Sequence, residues 1–297
     1  MAPHSVTNSQ IDKDPFIKNL IHQIPSFVIN HAPLVHLHTQ EPFWPASHES
    51  HLRNTTLIGQ KTAELNLDQP RSTPILENNI APTPNSPFHI LTHPAVNHEE
   101  CFMTARVDVR SGPRLHPWLV SESGKPDSDG RSAISPATLI LVDKSELTGV
   151  PNTLDAFWFF FHSFNLGPTV AKIHFGNHIA DWEHCMIRFV DGQPRAVHLS
   201  SHADGFAYTY ECLQKSGLRP VIYSAYGSHA MYPKPGSHDY SPIKLLGPID
   251  RTDRGPLWDP SLNYRAFQHF PSPAKDKFRA INEKLDGEFV ACLQFRG

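Results

Sequence analysis

The dipeptide Asp191-Gly192, set between the branched and aromatic runs 182–190 and 195–200, predicts a β-hairpin and with it a sheet-based fold. Similar short runs at 137–142, 156–164 and 220–224 extend the pattern. Residues 32–38 read as a further strand, because Leu34, His36 and His38 alternate with Val35 and Leu37. The 28 prolines favour short elements and structured loops, since proline interrupts helix and sheet hydrogen bonding alike. Three stretches predict helices. Asp14-Pro15 offers a cap and first-turn proline ahead of Phe16, Leu20 and Ile24. Phe206, Tyr210 and Leu213 share a helical face, with Gly217 as a closing residue. Ser272-Pro273 opens a last helix, with Ala274, Phe278, Ile281 and Leu285 on one side and a stop near Gly287. Residues 41–94 show little periodicity and predict long surface loops, and 121–130 predicts a polar loop. The expected architecture is mainly β, a β-sandwich with a few peripheral helices and long loops, or α+β if the helices are counted. A helical segment over 1–30 would precede a single domain over 31–297.

Charge and composition narrow the function classes. With 26 Lys+Arg against 29 Asp+Glu, a net charge of −3 and no basic block, a nucleic-acid partner is not expected. The first residues lack a charged region followed by an apolar run, and the dense apolar run 156–161 is too short to cross a bilayer. No stable membrane insertion and a cytoplasmic location are therefore expected. Cys101, Cys185, Cys212 and Cys292 are scattered without a C-x-x-C spacing, so buried free thiols are expected rather than a thiolate zinc site or a disulfide framework. No phosphate-cradling glycine motif follows a strand, so no nucleotide cofactor is expected. Ser200 and Ser201 lie beside His202, but without the G-x-S-x-G elbow of a serine hydrolase.

The strongest chemical signal is 176–184, Gly-Asn-His-Ile-Ala-Asp-Trp-Glu-His. In a strand, Asp181 and Glu183 project from the same face as Cys185, Ile187 and Phe189, and Trp182 and His184 from the other. Two carboxylates so placed repel unless a cation or a shared proton lies between them. His178 would close over the same end. Histidine nitrogen with carboxylate oxygen suits Mg²⁺, Mn²⁺, Zn²⁺ or Fe²⁺. Three further histidines sit in turns flanked by glycine or serine: His202 before Gly205, His229 after Gly227, and His238 with Asp239 after Gly236. His202-Ala-Asp204 also fits the His-x-Asp half of an iron facial triad. His36, His38, His48, His51, His93 and His98 read as loop or surface residues.

The chain resembles the fungal vacuolar protein sorting-associated protein 62 family. The resemblance runs through 155–161, 164–167, 175–189, 191–194, 201–205, 207–210, 219–220, 223–225, 227–230, 236–239, 253–255 and 258–260, with 32–38 and Glu41-Pro-Phe-Trp-Pro45 as its opening. It implies a link to sorting toward the vacuole and supplies no settled biochemical activity. Members often carry glycine where this chain has Ala180 and asparagine near Asp204, and often an N-terminal signal or anchor. Gly176-x-His178-x-x-Asp181-Trp182-Glu183 is also similar to the heptapeptide of necrosis- and ethylene-inducing-like toxins, which implies a β-sandwich holding a divalent cation. Ala180 stands where those toxins carry a histidine, which argues against toxin activity.

These readings lead to an expected enzyme, a cyclase, isomerase or lyase acting on a small, largely apolar secondary metabolite. His178, Asp181 and Glu183 would hold a divalent cation (Mg²⁺, Mn²⁺, Ca²⁺ or Zn²⁺). His202, His229, Asp181 and Glu183 would carry the chemistry, histidine being suited to proton transfer near neutral pH. Trp182, Tyr223, Tyr226, His238, Asp239 and Trp258 would line the substrate cavity. The alternative is a non-catalytic vacuolar sorting or scaffold protein in which the histidine–carboxylate cluster is structural. A cytolytic protein is a third and weaker reading.

Overall fold

The computed structural model of the chain describes residues 23–59, 87–88, 91, 101–109, 115–167, 169–170, 173–174, 176–240, 248–271 and 277–295. Strands dominate. The larger sheet has the order β10 (Phe206–Thr209), β9 (Gln193–Leu199), β8 (His178–Val190), β5 (Thr153–Asn165), β4 (Ala137–Asp143), β17 (Tyr264–Phe270) and β18 (Lys277–Ala280). All its neighbours are antiparallel except β4 and β17. The smaller sheet has the order β11 (Lys215–Ser216), β12 (Arg219–Ser224), β1 (Leu34–His36) and β16 (Leu257–Trp258), with β13 (Met231–Tyr232) also on β12. Three two-stranded ribbons complete the set: β2 (Thr55–Gly59) with β3 (Cys101–Ala105), β6 (Thr169–Val170) with β7 (Ile173–His174), and β14 (Gly236–Asp239) with β15 (Ile249–Thr252).

Both faces of the larger sheet are covered, and its central strand shows it. β5 is buried at nearly every position, where a strand with one wet face would alternate. On the inner face Leu139, Leu141, Trp158, Phe160, Ile187 and Phe189 meet Val35, Ile222, Met231 and Trp258 from the smaller sheet. On the outer face Ile140, Val142 and Phe267 meet Leu52, Leu57 and Phe289. Those three come from α2 (His48–Arg53), β2 and the C-terminal turns near α5 (Val290–Gln294). Each such side chain, fully buried, contributes about 2 kcal/mol. β8 carries the expected alternation, with Asp181, Glu183, Cys185, Ile187 and Phe189 inward. The Asp191-Gly192 turn joins β8 to β9 as a two-residue connection. Its φ values of 50° and 72° are those of a type I′ turn, whose twist matches that of the flanking strands.

Two expected helices are strands. Residues 206–214 form β10 against β9 and then a 3-10 turn, Tyr210–Cys212. Nine residues make a marginal helix, and an open sheet edge offers the backbone steadier partners. Of the last expected helix, 272–276 lie outside the described residues, and Lys277–Ala280 is β18, paired with β17. Helix appears only from α4 (Glu283–Asp286), where Leu285 is exposed, and Gly287 continues the turn into a 3-10 segment. The first expected helix falls mainly on residues outside those described; at its end, Ile24 is non-helical and α1 (Ser26–Asn30) follows. The 41–94 region is less loop-like than expected, since it supplies α2 and β2, and His48 and His51 are buried rather than superficial. Of the three described thiols only Cys185 is fully buried; Cys212 is exposed and Cys292 half-buried.

Candidate functional site

Asp181 lies opposite His162, and Glu183 opposite Phe160, on the long β5–β8 pair. A turn over 226–229 brings His229 against this face. Gly227 permits that turn, because it takes φ +70° and an added Cβ would lie 2.9 Å from the Leu166 Cβ. His229 is fully buried. Its Nδ1–H donates to Asp181 Oδ2 at 2.7 Å, and its Nε2 lies 3.4 Å from Glu41 Oε1 and 3.2 Å from the Phe43 carbonyl oxygen. Glu41 is held in turn by the amides of Phe43 and Gly227, both at 2.9 Å. His162 stacks on His229 with ring centroids 3.6 Å apart and donates from Nδ1 to the same Phe43 carbonyl.

Partners set the charge states here. Burial alone would pull the His229 imidazole down, but the Glu41 charge and the Asp181 hydrogen bond outweigh it and raise its pKa to about 10. Burial opposes ionisation of Glu41 and Asp181 too, and the His229 cation nevertheless keeps both below the ordinary carboxylate range. His162, buried beside that cation, is pushed down to about 3 and stays neutral. Glu183 is ion-paired with no cation among the described residues, and the more distant His229 charge does not offset its burial. Burial, with the nearby Asp181 charge, raises it to about 8, so it holds a proton at neutral pH and pairs with the Ser200 hydroxyl. The repulsion that the sequence implies between Asp181 and Glu183 is thus relieved by an imidazolium on one acid and a proton on the other.

A second cluster adjoins the first through the consecutive pairs Ser200-Ser201 and Ser228-His229. Asp250 on β15 accepts from the hydroxyls of Ser228 (2.8 Å) and Tyr232 (2.7 Å) and from His202 Nε2 (2.7 Å). Ser201 lies 3.2 Å from the Tyr232 hydroxyl. His238 stacks on Tyr232 and His202 on Tyr240, at 3.7 and 3.6 Å. His238 Nε2 reaches Thr252 Oγ1 at 3.0 Å.

The histidine turns therefore gather His202, His229 and His238 around Asp181, Glu183 and Asp250. The expected metal set does not close. His178 is exposed, and its Nε2 stands 3.9 Å from Asp181 Oδ1. Among the described residues no three His, Cys, Asp or Glu side chains are arranged to hold a metal ion. His202 pairs with Asp250 and not with Asp204, which removes the iron-triad pattern. The expected cavity wall is dispersed as well. Tyr223 is buried and donates to Gln214, Trp258 packs on Phe160 in the core, and Tyr226 is exposed beside His38. Asp239 lies on β14, opposite Ile249. Trp182 faces the other side of the sheet, beside Phe161. His229 has no exposure and both nitrogens engaged, so it is not placed to exchange a proton with an outside molecule. Sequence reasoning missed Glu41, His162 and Asp250. His162 carried a signal, as a polar residue within an otherwise aromatic run.

Residues 135–251 match the family model described as vacuolar protein sorting-associated protein 62. Two Saccharomyces cerevisiae proteins are each 34% identical to this chain across 82% of its length. One is vacuolar protein sorting-associated protein 62, of which 53% is covered, and the other is the provisionally named vacuolar protein sorting-associated protein TDA6, of which 54% is covered. The chain thus spans about half the length of the curated relatives it matches. Among solved structures, necrosis and ethylene inducing protein 2 from the causal agent of cocoa's Witches Broom disease matches at 11% identity, over 72% of this chain and 69% of that one. Its TM-score of 0.33 is too low to support an inference about fold or activity. The relatives' names overturn the expected secondary-metabolite enzyme, for which no finding speaks. They leave the expected cytoplasmic location without support; among the described residues, no helix is long and apolar enough to cross a membrane. The segment 135–251 thus matches the vacuolar protein sorting-associated protein 62 family, and the chain is similar to these two relatives across 82% of its length.

Proposed function

We propose that the chain acts without catalysis in sorting proteins to the vacuole, and that its histidine–carboxylate network is a structural clamp. The observation that carries this reading is the identity shared with two yeast proteins named for vacuolar sorting. The sealed state of the network supports it. Glu41, Asp181 and Asp250 are buried and spend their oxygens on groups from distant parts of the chain. Breaking one partner from such a buried set costs several kcal/mol, which is the behaviour of a fastening. Deleting the gene in its own organism is expected to divert a soluble vacuolar hydrolase into the medium. Reintroducing the chain, either unaltered or as His202→Ala, is expected to restore delivery. Normal delivery in the deletion strain, or failure of the His202→Ala chain at wild-type abundance, would remove this reading.

A further inference from the structure

The outer face of β8 holds a different environment, one residue away from the ionic network. Trp182 stands opposite Phe161, with ring centroids 4.9 Å apart. α2 lays its histidines across this pair: His48 stacks on Phe161 at 4.3 Å and lies 4.7 Å from Trp182, and His51 meets Phe161 edge-on at 5.1 Å. Beside them is a cavity of about 340 Å³, open to solvent on one side and lined by Leu91, Met103, Ile179, Ala180 and Cys292 among others. That volume is within the range of small-molecule sites.

Two features specify an occupant. Among the described residues no charged side chain lines the cavity, and the polar groups there belong to His48, His51, Cys292 and the indole of Trp182. Both ring nitrogens of His48, and Nδ1 of His51, are buried and have no hydrogen-bond partner among the described residues. A buried polar group left unsatisfied is costly and rare in folded proteins, so each calls for an explanation. Burial, the largest influence on both rings, holds His48 well below the ordinary histidine range and His51 at about 4, leaving them neutral. A neutral imidazole has one donor and one acceptor nitrogen, and the histidine χ2 torsion is soft, so a modest ring rotation would turn a nitrogen toward the cavity.

We propose that this cavity binds a small, neutral, planar apolar molecule that carries one hydroxyl or carbonyl group to hydrogen-bond with His48 or His51. The aromatic walls take the ring system and the imidazoles take the polar group. Among the described lining residues an anion finds no cation and a cation finds no carboxylate. The site is separate from the clamp and does not depend on the sorting role.

The probe is 1-naphthol, compared with naphthalene, 1-naphthoate and 1-naphthylmethylammonium by equilibrium dialysis on the full chain. 1-Naphthol is expected to bind saturably at one per chain, about tenfold more tightly than naphthalene, which corresponds to one net hydrogen bond. The two ions are expected to bind at least about a hundredfold more weakly, because the cavity leaves an ionic group desolvated and unpaired. His48→Phe with His51→Phe should keep naphthalene binding and abolish the preference for naphthol. Met103→Trp, which fills the space from β3, should abolish binding of both neutral probes; Cys292→Phe fills it from α5 should the first variant fail to fold. Lack of saturable 1-naphthol binding would overturn the proposal. So would either ion binding as tightly as naphthol, a naphthol preference that survives the double variant, or binding unaffected by a folded cavity-filling variant.

Discussion

Asp181 and Trp182 are adjacent in sequence, yet the two faces of β8 treat histidine in opposite ways. On the Asp181 side, His229 lies between two carboxylates and is an imidazolium. On the Trp182 side, His48 is as deeply buried, packs among rings, and is neutral with its nitrogens unpaired. Burial penalises the charged form on both faces. What decides the outcome is whether the fold also delivers an acid, and only the inner face receives Glu41 and Asp181.

The largest expected effect tests that contrast directly. His229→Phe leaves Glu41 and Asp181 facing each other without a cation and should cost about 3–5 kcal/mol in urea unfolding. His48→Phe removes two unsatisfied nitrogens and keeps a flat ring, so it should fall within about 1 kcal/mol of the wild type or stabilise it. Equal losses from the two variants would show that the faces do not differ as described.

A smaller effect should appear in the pH dependence of stability. Glu183 binds its proton more tightly folded, at about 8, than unfolded, at 4.5. The stability it supplies is therefore complete below 4.5 and is lost as pH rises toward 8, on the order of 1 kcal/mol per pH unit within that window. His229, raised from 6.5 to about 10, works in the same direction above pH 6.5. Glu183→Gln keeps the neutral form at every pH and removes that falling contribution between pH 5 and 6.5, where His229 contributes little; the buried neutral rings of His48, His51 and His162 should then make the variant's stability rise with pH more steeply than the wild type's. A variant profile as steep as the wild type's there would place the proton elsewhere.

The smallest effect concerns the residue that precedes both faces. Ala180 takes φ +61°, a left-handed conformation that costs a residue with a Cβ about 1 kcal/mol or more. Ala180→Gly should raise stability by about 1 kcal/mol, seen as a melting temperature a few degrees higher. An unchanged or lower melting temperature would mean that the Ala180 methyl contributes packing that offsets the strain.

What the sequence disclosed follows the range of each interaction. The inward and outward alternation of β8 and the turn at Asp191-Gly192 are properties of a few consecutive residues, and both were legible. The need to neutralise Asp181 and Glu183 was legible as well, but not the means. The neutralising cation is His229, and Glu41, which helps to keep it charged, hydrogen-bonds the amide of Gly227, 186 positions along the chain; no local pattern encodes a contact of that span. Asp250 was hidden for the same reason, since His202 finds it 48 residues away while Asp204 offers the nearer tripeptide. At 206–214 the helical spacing of Phe206, Tyr210 and Leu213 misled, because pairing with β9 outweighed a weak local preference.

β1 lies in the middle of the smaller sheet, parallel to β12 on one side and antiparallel to β16 on the other, and Glu41 follows it within a few residues. The early part of the chain is thus a structural member held between pieces encoded far downstream. A gene trimmed to the region recognised by the family model would lack this central strand, one of the two acids that flank His229, and β16 to β18. Such a fragment would emerge with two unzipped sheet borders and with His229 left to Asp181 alone, a combination suited to aggregation rather than to an autonomous domain.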